Sequence, residues 1–194
     1  MYTLSVGLWE QFFAKKDYYV VIVGLDNAGK TTFLEQIKSK FVRNYPMLNP
    51  AKITSTVGLN IGKVEVGQAR LNFWDVGGQE ELRCLWSNYL DEASAIIYVV
   101  DGSRADLLPT VVQSFGEVMK VDRVKELPML VAVNKSELDT AVSASQVREA
   151  LDGCEDDHRA DLAVLPVSAL EGLNVDRCVR WILRSLASKP LFLD

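Results

Sequence analysis

Gly24-Leu-Asp-Asn-Ala-Gly29-Lys30-Thr31 places two glycines, a lysine and a hydroxyl at the spacing G-x-x-x-x-G-K-[ST]. Residues at that spacing can hold phosphate. The backbone N–H groups of Asp26, Asn27, Ala28 and Gly29, with the first turn of a helix opening at Lys30, Thr31 and Thr32, would cradle a β-phosphate. Lys30 would bridge β- and γ-phosphates, and the Thr31 hydroxyl would ligate Mg2+. Further along, Trp74-Asp75-Val76-Gly77-Gly78-Gln79 offers three more groups. The Asp75 carboxylate can reach the metal through water, the Gly78 N–H can meet a γ-phosphate, and Gln79 can orient water for in-line attack. Asn134-Lys135-Ser136-Glu137 and Ser168-Ala169-Leu170 follow. Each reads alone as a charged loop or an ordinary turn, and only their order after the phosphate loop makes them parts of one site.

The elements that must position these groups are visible as four short apolar runs. They are Tyr19–Val23, Ala95–Val100, Met129–Val133 and Leu162–Val167, all continuous and rich in β-branched residues. Runs without polar alternation predict strands of a parallel sheet buried on both faces. Apolar periodicity predicts helices over Thr32–Phe41 and Val175–Ala187. Leu59–Val66 and Ala69–Trp74, separated by Gly67-Gln68, predict a hairpin and hence one antiparallel edge strand. The expected fold is α/β, a doubly wound six-stranded, mostly parallel sheet with helices on both faces. All four motifs then fall at C-terminal strand ends, where such sheets bind ligands.

With these segments in place, the chain resembles small GTPases of the ADP-ribosylation-factor (Arf) family, and within it the Arf-related branch. The likeness rests on Gly24–Lys38, Thr56-Val-Gly-Leu-Asn-Ile61, Leu71–Tyr89 and Ser168–Leu170, and it runs from about Leu4 to the last helix. It implies that GTP or GDP binds with Mg2+ and that Thr56, in T-V-G, reaches the metal and the γ-phosphate. It implies that Gln79 positions the hydrolytic water, and that Asn134, Lys135, Glu137, Ser168 and Ala169 hold the guanine. Leu59, Trp74, Trp86 and Tyr89 resemble the apolar patch presented to effectors. Leu82, Leu85, Trp86 and Tyr89 also fit a buried helical stripe, so Trp86 stands open between patch and core. The expected partners are an exchange factor, an activating protein and membrane-tether effectors, with residence in the cytoplasm, peripheral on the cytosolic face of the Golgi.

Three features depart from the family pattern. Glu137 stands where the family has aspartate, so the same charge reaches the guanine N1–H and amine on a longer stem. Tyr2 replaces the glycine that would carry a myristoyl chain. The connection from Phe41 to Ser55, with Pro46 and Pro50, is longer than usual before Thr56, and the sequence assigns it no role. Inside the phosphate loop, Asp26 is an unhelpful charge if it points at the γ-phosphate. Slow intrinsic hydrolysis is therefore expected, with an arginine supplied in trans, since neither Arg83 nor Arg104 matches a built-in finger.

Composition narrows the rest. A formal net charge of −5 argues against nucleic-acid binding by phosphate neutralisation. Cys84, Cys154 and Cys178 lie too far apart for a disulfide framework or zinc site. The lone His158 sits in a charged run and reads as solvated surface. No run is long enough to span a bilayer, and neither a secretion leader nor a prenylation signal is expected. Residues 1–16 form the expected appendage, an amphipathic helix with Tyr2, Val6, Trp9 and Phe13 on one face, before a GTPase domain over 17–194. Without lipid or basic charge, that helix needs a protein receptor, which the resemblance suggests reads an acetylated Met1. A nucleotide-loaded scaffold leaves Gln79 without purpose. A P-loop phosphotransferase leaves N-K-x-E and S-A-L unexplained.

Overall fold

The computed structural model describes residues 15–154 and 160–188; the amphipathic segment before Lys15, His158 and the last six residues lie outside it. Among the described residues six strands run β1 Lys16–Val23, β2 Leu59–Val66, β3 Ala69–Val76, β4 Ala95–Asp101, β5 Met129–Asn134 and β6 Leu162–Pro166. They form one sheet in the order β2-β3-β1-β4-β5-β6. Among these six strands only β2 and β3 pair antiparallel, as the short Gly67-Gln68 turn requires; the other strand pairs are parallel. β1 begins at Lys16, so the sheet takes in the last residue expected in the appendage.

Alternate side chains of the strands enter two separate cores. Val20, Ile22, Ile97 and Val99 pack with Phe33, Leu34 and Ile37 of α1 (Lys30–Phe41) and with Val179 and Ile182 of α5 (Val175–Ser188). Val21, Val23, Ile96, Tyr98 and Val100 face α2 (Trp86–Asp91), α3 (Leu108–Met119) and α4 (Ala144–Leu151). Burial on both faces is why β4 and β5 read as unbroken apolar runs. β6 departs from that expectation: its residues are half-buried, and Pro166 is exposed, because it is the sheet edge.

The long connection acquires a role here. Glu35, on α1, is buried although it reads as a charge on a helix surface. Its carboxylate accepts from Lys38 Nζ at 2.7 Å, from the Tyr45 hydroxyl at 2.9 Å and from the Leu48 N–H at 3.3 Å. Burial alone would raise its pKa, but these donors hold it below the usual carboxylate value. The connection is thus strapped to α1 near its start, with Lys38 also lying over the Tyr45 ring. Asn49 then caps a short turn over Pro50–Lys52 by accepting from the Ala51 N–H.

Candidate nucleotide-binding site

The chain leaves β1 to form β3 on one side of it and β4 on the other, so the residues following β1 open into a crevice at the strands' C-terminal ends. Gly29 turns the loop into α1 at φ 89°, and a Cβ there would lie 2.3 Å from Asn134 Nδ2, so only glycine fits. α1 begins without a side-chain cap and without an acidic residue in its first turn. Its first N–H groups and its positive dipole end therefore remain open to an anion.

Lys30 is buried and donates to the carbonyls of Gly24 and Leu25, which aim its ammonium across the loop. Burial lowers its pKa, opposed by the nearby charges of Asp75 and Asp26. Gly78 lies against it: a Cβ on Gly78 would come within 2.4 Å of both Lys30 Nζ and the Gly24 carbonyl. That contact requires glycine and puts the Gly78 backbone beside the lysine that would bridge the phosphates.

Three oxygen-bearing side chains converge next to it. The Thr31 and Thr56 hydroxyls lie 2.6 Å apart, and Asp75 Oδ2 is 2.7 Å from the first and 3.3 Å from the second. Asn60, not anticipated from sequence, donates to the same oxygen at 3.3 Å. Asp75 Oδ1 is buried with no hydrogen-bond partner among the described residues. Burial raises the Asp75 pKa, opposed by the donated hydrogen bonds and by Lys30. A hard set of hydroxyl and carboxylate oxygens, incomplete without phosphate oxygens and water, fits Mg2+. Among the described residues no cluster of three His, Cys, Asp or Glu offers another metal site. A cavity of about 180 Å3 opens over these groups, lined by the phosphate loop, Thr31, Thr32, Lys135 and residues 53–56.

The base-side motifs are joined through one amide. Asn134 Nδ2 donates to the Ala28 carbonyl at 2.8 Å, and Asn134 Oδ1 accepts from the Ala169 N–H at 2.9 Å. Ser168 is buried and its hydroxyl accepts from the Glu171 N–H, which fixes that loop. Lys135 adopts φ 63°, a left-handed conformation that costs a lysine about 1–3 kcal/mol and concentrates at functional sites. Asp101, at the end of β4, pairs with its ammonium. Its strand-end position, shared with every other motif, was the signal by which the sequence could have disclosed it. Glu137 is half-buried, and its Oε2 is buried with no hydrogen-bond partner among the described residues. A carboxylate oxygen in that condition suits the N–H groups of a guanine edge.

Gln79 is half-buried where β3 gives way to the 3-10 turn Glu80–Leu85. Arg83 Nε donates to the Gly78 carbonyl at 3.3 Å, and Arg104 is paired with Asp106. Asp26 turns its carboxylate to Ser55 Oγ and Asn27 Nδ2, both at 3.2 Å.

The apolar patch is corrected at one position. Trp86 is 4% exposed, packs in the core with Leu90, and donates its indole N–H to the Gly77 carbonyl at 3.0 Å. Having found that buried partner, it belongs to the core. The open groove instead combines Leu59, Trp74 and Tyr89 with Ile61 and Leu85, around about 360 Å3. Trp74 stands between the Tyr19 and Tyr89 rings, 4.9 and 5.9 Å away.

Comparison with known proteins covers most of the chain. The model of the ADP-ribosylation factor family matches residues 5–186. ADP-ribosylation factor-related protein 1 of Homo sapiens is 44% identical over 185 residues, covering 95% of this chain and 92% of the relative. ADP-ribosylation factor-like protein 3 of Saccharomyces cerevisiae is 35% identical, covering 98% of each. Among solved structures, the Arl6 BBS3 small GTPase of Trypanosoma brucei, with bound nucleotide analogue GppNp, is similar at a TM-score of 0.78 and 28% identity. That match covers 90% of this chain and 100% of the other.

Proposed function

The chain belongs to the ADP-ribosylation factor family, and from that membership we propose that it cycles between GDP and GTP states to recruit effectors to Golgi membranes in vesicle traffic. It is a small GTPase, a GTP-binding switch that hydrolyses GTP to GDP and phosphate. The observation that carries the site assignment is the convergence of Thr31, Thr56 and Asp75 beside Lys30 and Gly78. It draws a connection after α1 and the turn after β3 onto one point, where a γ-phosphate would hold both.

In the mechanism, the loop N–H groups and Lys30 bind the phosphates, and Thr31 and Thr56 would hold Mg2+ directly with Asp75 acting through water. The metal, when bound, would neutralise charge on the β- and γ-oxygens. Gln79 orients the attacking water in line with the bond that breaks. Thr56 and Gly78 sense the γ-phosphate, so its loss releases residues 53–58 and the start of the 3-10 turn. Effectors then lose the Leu59, Trp74 and Tyr89 groove that borders those segments.

Base selection supplies the test. Removing the carboxylate with Glu137→Ala is expected to weaken GTP by about 10- to 100-fold, the worth of its charge-assisted hydrogen bonds, and to leave ATP unaffected. Competition of GTP, XTP and ATP for the purified protein measures both, and equal competition by ATP and GTP in the unaltered protein would overturn the guanine reading. Placement at the Golgi rests on the family and on the amphipathic pattern around Tyr2, which lies outside the described residues. Tyr2→Ala is expected to disperse the protein into the cytoplasm, as imaged in cells. Unchanged placement would discard the receptor-read N-terminus.

A further inference from the structure

Asp26 and Ser55 both line the cavity over the phosphate loop, and the Ser55 hydroxyl donates to Asp26 Oδ2 at 3.2 Å. Asp26 belongs to the phosphate loop, whose conformation is set by Asn27 at φ 59° and Gly29. Ser55 ends the connection strapped to Glu35 at Tyr45 and Leu48. Thr56 is the next residue, and two residues further Gly58 offers its carbonyl to the Gly77 N–H at 2.9 Å. The segment carrying Thr56 is therefore fastened on both sides, by Ser55 to the loop beneath and by Gly58 to the end of β3. Of these two fastenings, only the first joins two residues that line the cavity where a nucleotide's phosphates would sit.

We propose that Asp26 and Ser55 form a catch that holds residues 53–56 closed over bound triphosphate and slows its release, with Ser55 acting as a positioning residue for Thr56. This deepens the reading of the site as a GTP switch and rests on it. The bond is made here with Thr56 drawn in beside Thr31 and Asp75, and a diphosphate offers Thr56 no γ-phosphate to reach. The catch therefore acts on GTP and not on GDP. It also gives the Asp26 carboxylate a partner, directing onto a hydroxyl a charge that would otherwise oppose the γ-phosphate.

The test is the release of fluorescent GDP and of a fluorescent non-hydrolysable GTP analogue from the full chain, followed by stopped flow with excess Mg2+. Ser55→Ala is expected to speed triphosphate release about three- to tenfold, the effect of losing one such hydrogen bond, while GDP release stays within about twofold. Ser55→Thr keeps the hydroxyl and restores slow release. In a cycle with Asp26→Ala, the Ser55→Ala effect disappears once the acceptor is gone. Equal speeding of both nucleotides marks a merely structural residue and overturns the catch, as does unchanged triphosphate release in Ser55→Ala. A wild-type chain that retains no guanine nucleotide overturns the site reading itself, a result distinct from either.

Discussion

Lys30→Ala is expected to leave a folded protein that no longer retains guanine nucleotide through gel filtration. The ammonium is buried, held by the Gly24 and Leu25 carbonyls, and lies where β- and γ-phosphates would be bridged. Removing one partner from a desolvated charge contact costs about 2–5 kcal/mol, roughly 30- to 5,000-fold in affinity. Burial already disfavours the charged lysine, and the charges of Asp75 and Asp26 oppose that, so its loss also leaves Asp75 without a neighbouring cation. Circular dichroism separates this effect from unfolding. Arginine is not an equivalent replacement: Nζ lies beside the Gly78 backbone, and a planar guanidinium is a larger and differently shaped cation than an ammonium. A Lys30→Ala protein that is folded and keeps its nucleotide would show that the phosphates are held elsewhere.

The second large effect concerns hydrolysis. The isolated chain is expected to turn over slowly, because Arg83 is engaged with the Gly78 carbonyl and Arg104 with Asp106. An activating protein that inserts an arginine raises the rate by about 10³–10⁵. Gln79→Leu keeps the size of the side chain but not its polar groups. It is expected to lower the stimulated single-turnover rate by at least about 10²-fold while GTP affinity stays within about twofold. Single-turnover phosphate release with and without the activating protein measures this. A fully stimulated Gln79→Leu variant would remove Gln79 from the reaction; a GTP lifetime that is long and the same in the unaltered chain and in Gln79→Leu would favour a nucleotide-loaded scaffold.

The phosphate loop, the Asp75 turn and the base loops were legible because their chemistry depends on residue types at fixed spacing after strands whose apolar runs are unmistakable. The structure brings all of them to one end of the sheet. What could not be read depends on contacts between distant segments. Glu35 looks like a solvated helical charge until Tyr45 and Leu48 fold back onto it. Trp86 fits two roles by periodicity, and only its burial and its hydrogen bond to the Gly77 carbonyl decide between them. β6 shares the apolar character of β4 and β5, yet edge placement, which composition does not encode, leaves it half-exposed. α3 carried a readable signal in Val111, Phe115, Val118 and Met119, an i, i+4, i+7, i+8 stripe. Asp26 shows the opposite limit: its type suggested repulsion from phosphate, whereas its direction gives it a hydroxyl partner.

Asn134 joins loops that arise from three different strands. Its amide ties the Ala28 carbonyl of the phosphate loop to the Ala169 N–H, and its Nδ2 occupies the space a Cβ on Gly29 would need. The parts of the chain that distinguish one base from another are thereby mechanically continuous with the part that grips phosphate. For anyone redesigning nucleotide preference, the base pocket is not an independent module: substitutions that reshape it will loosen triphosphate of every kind unless this one side chain keeps both of its partners.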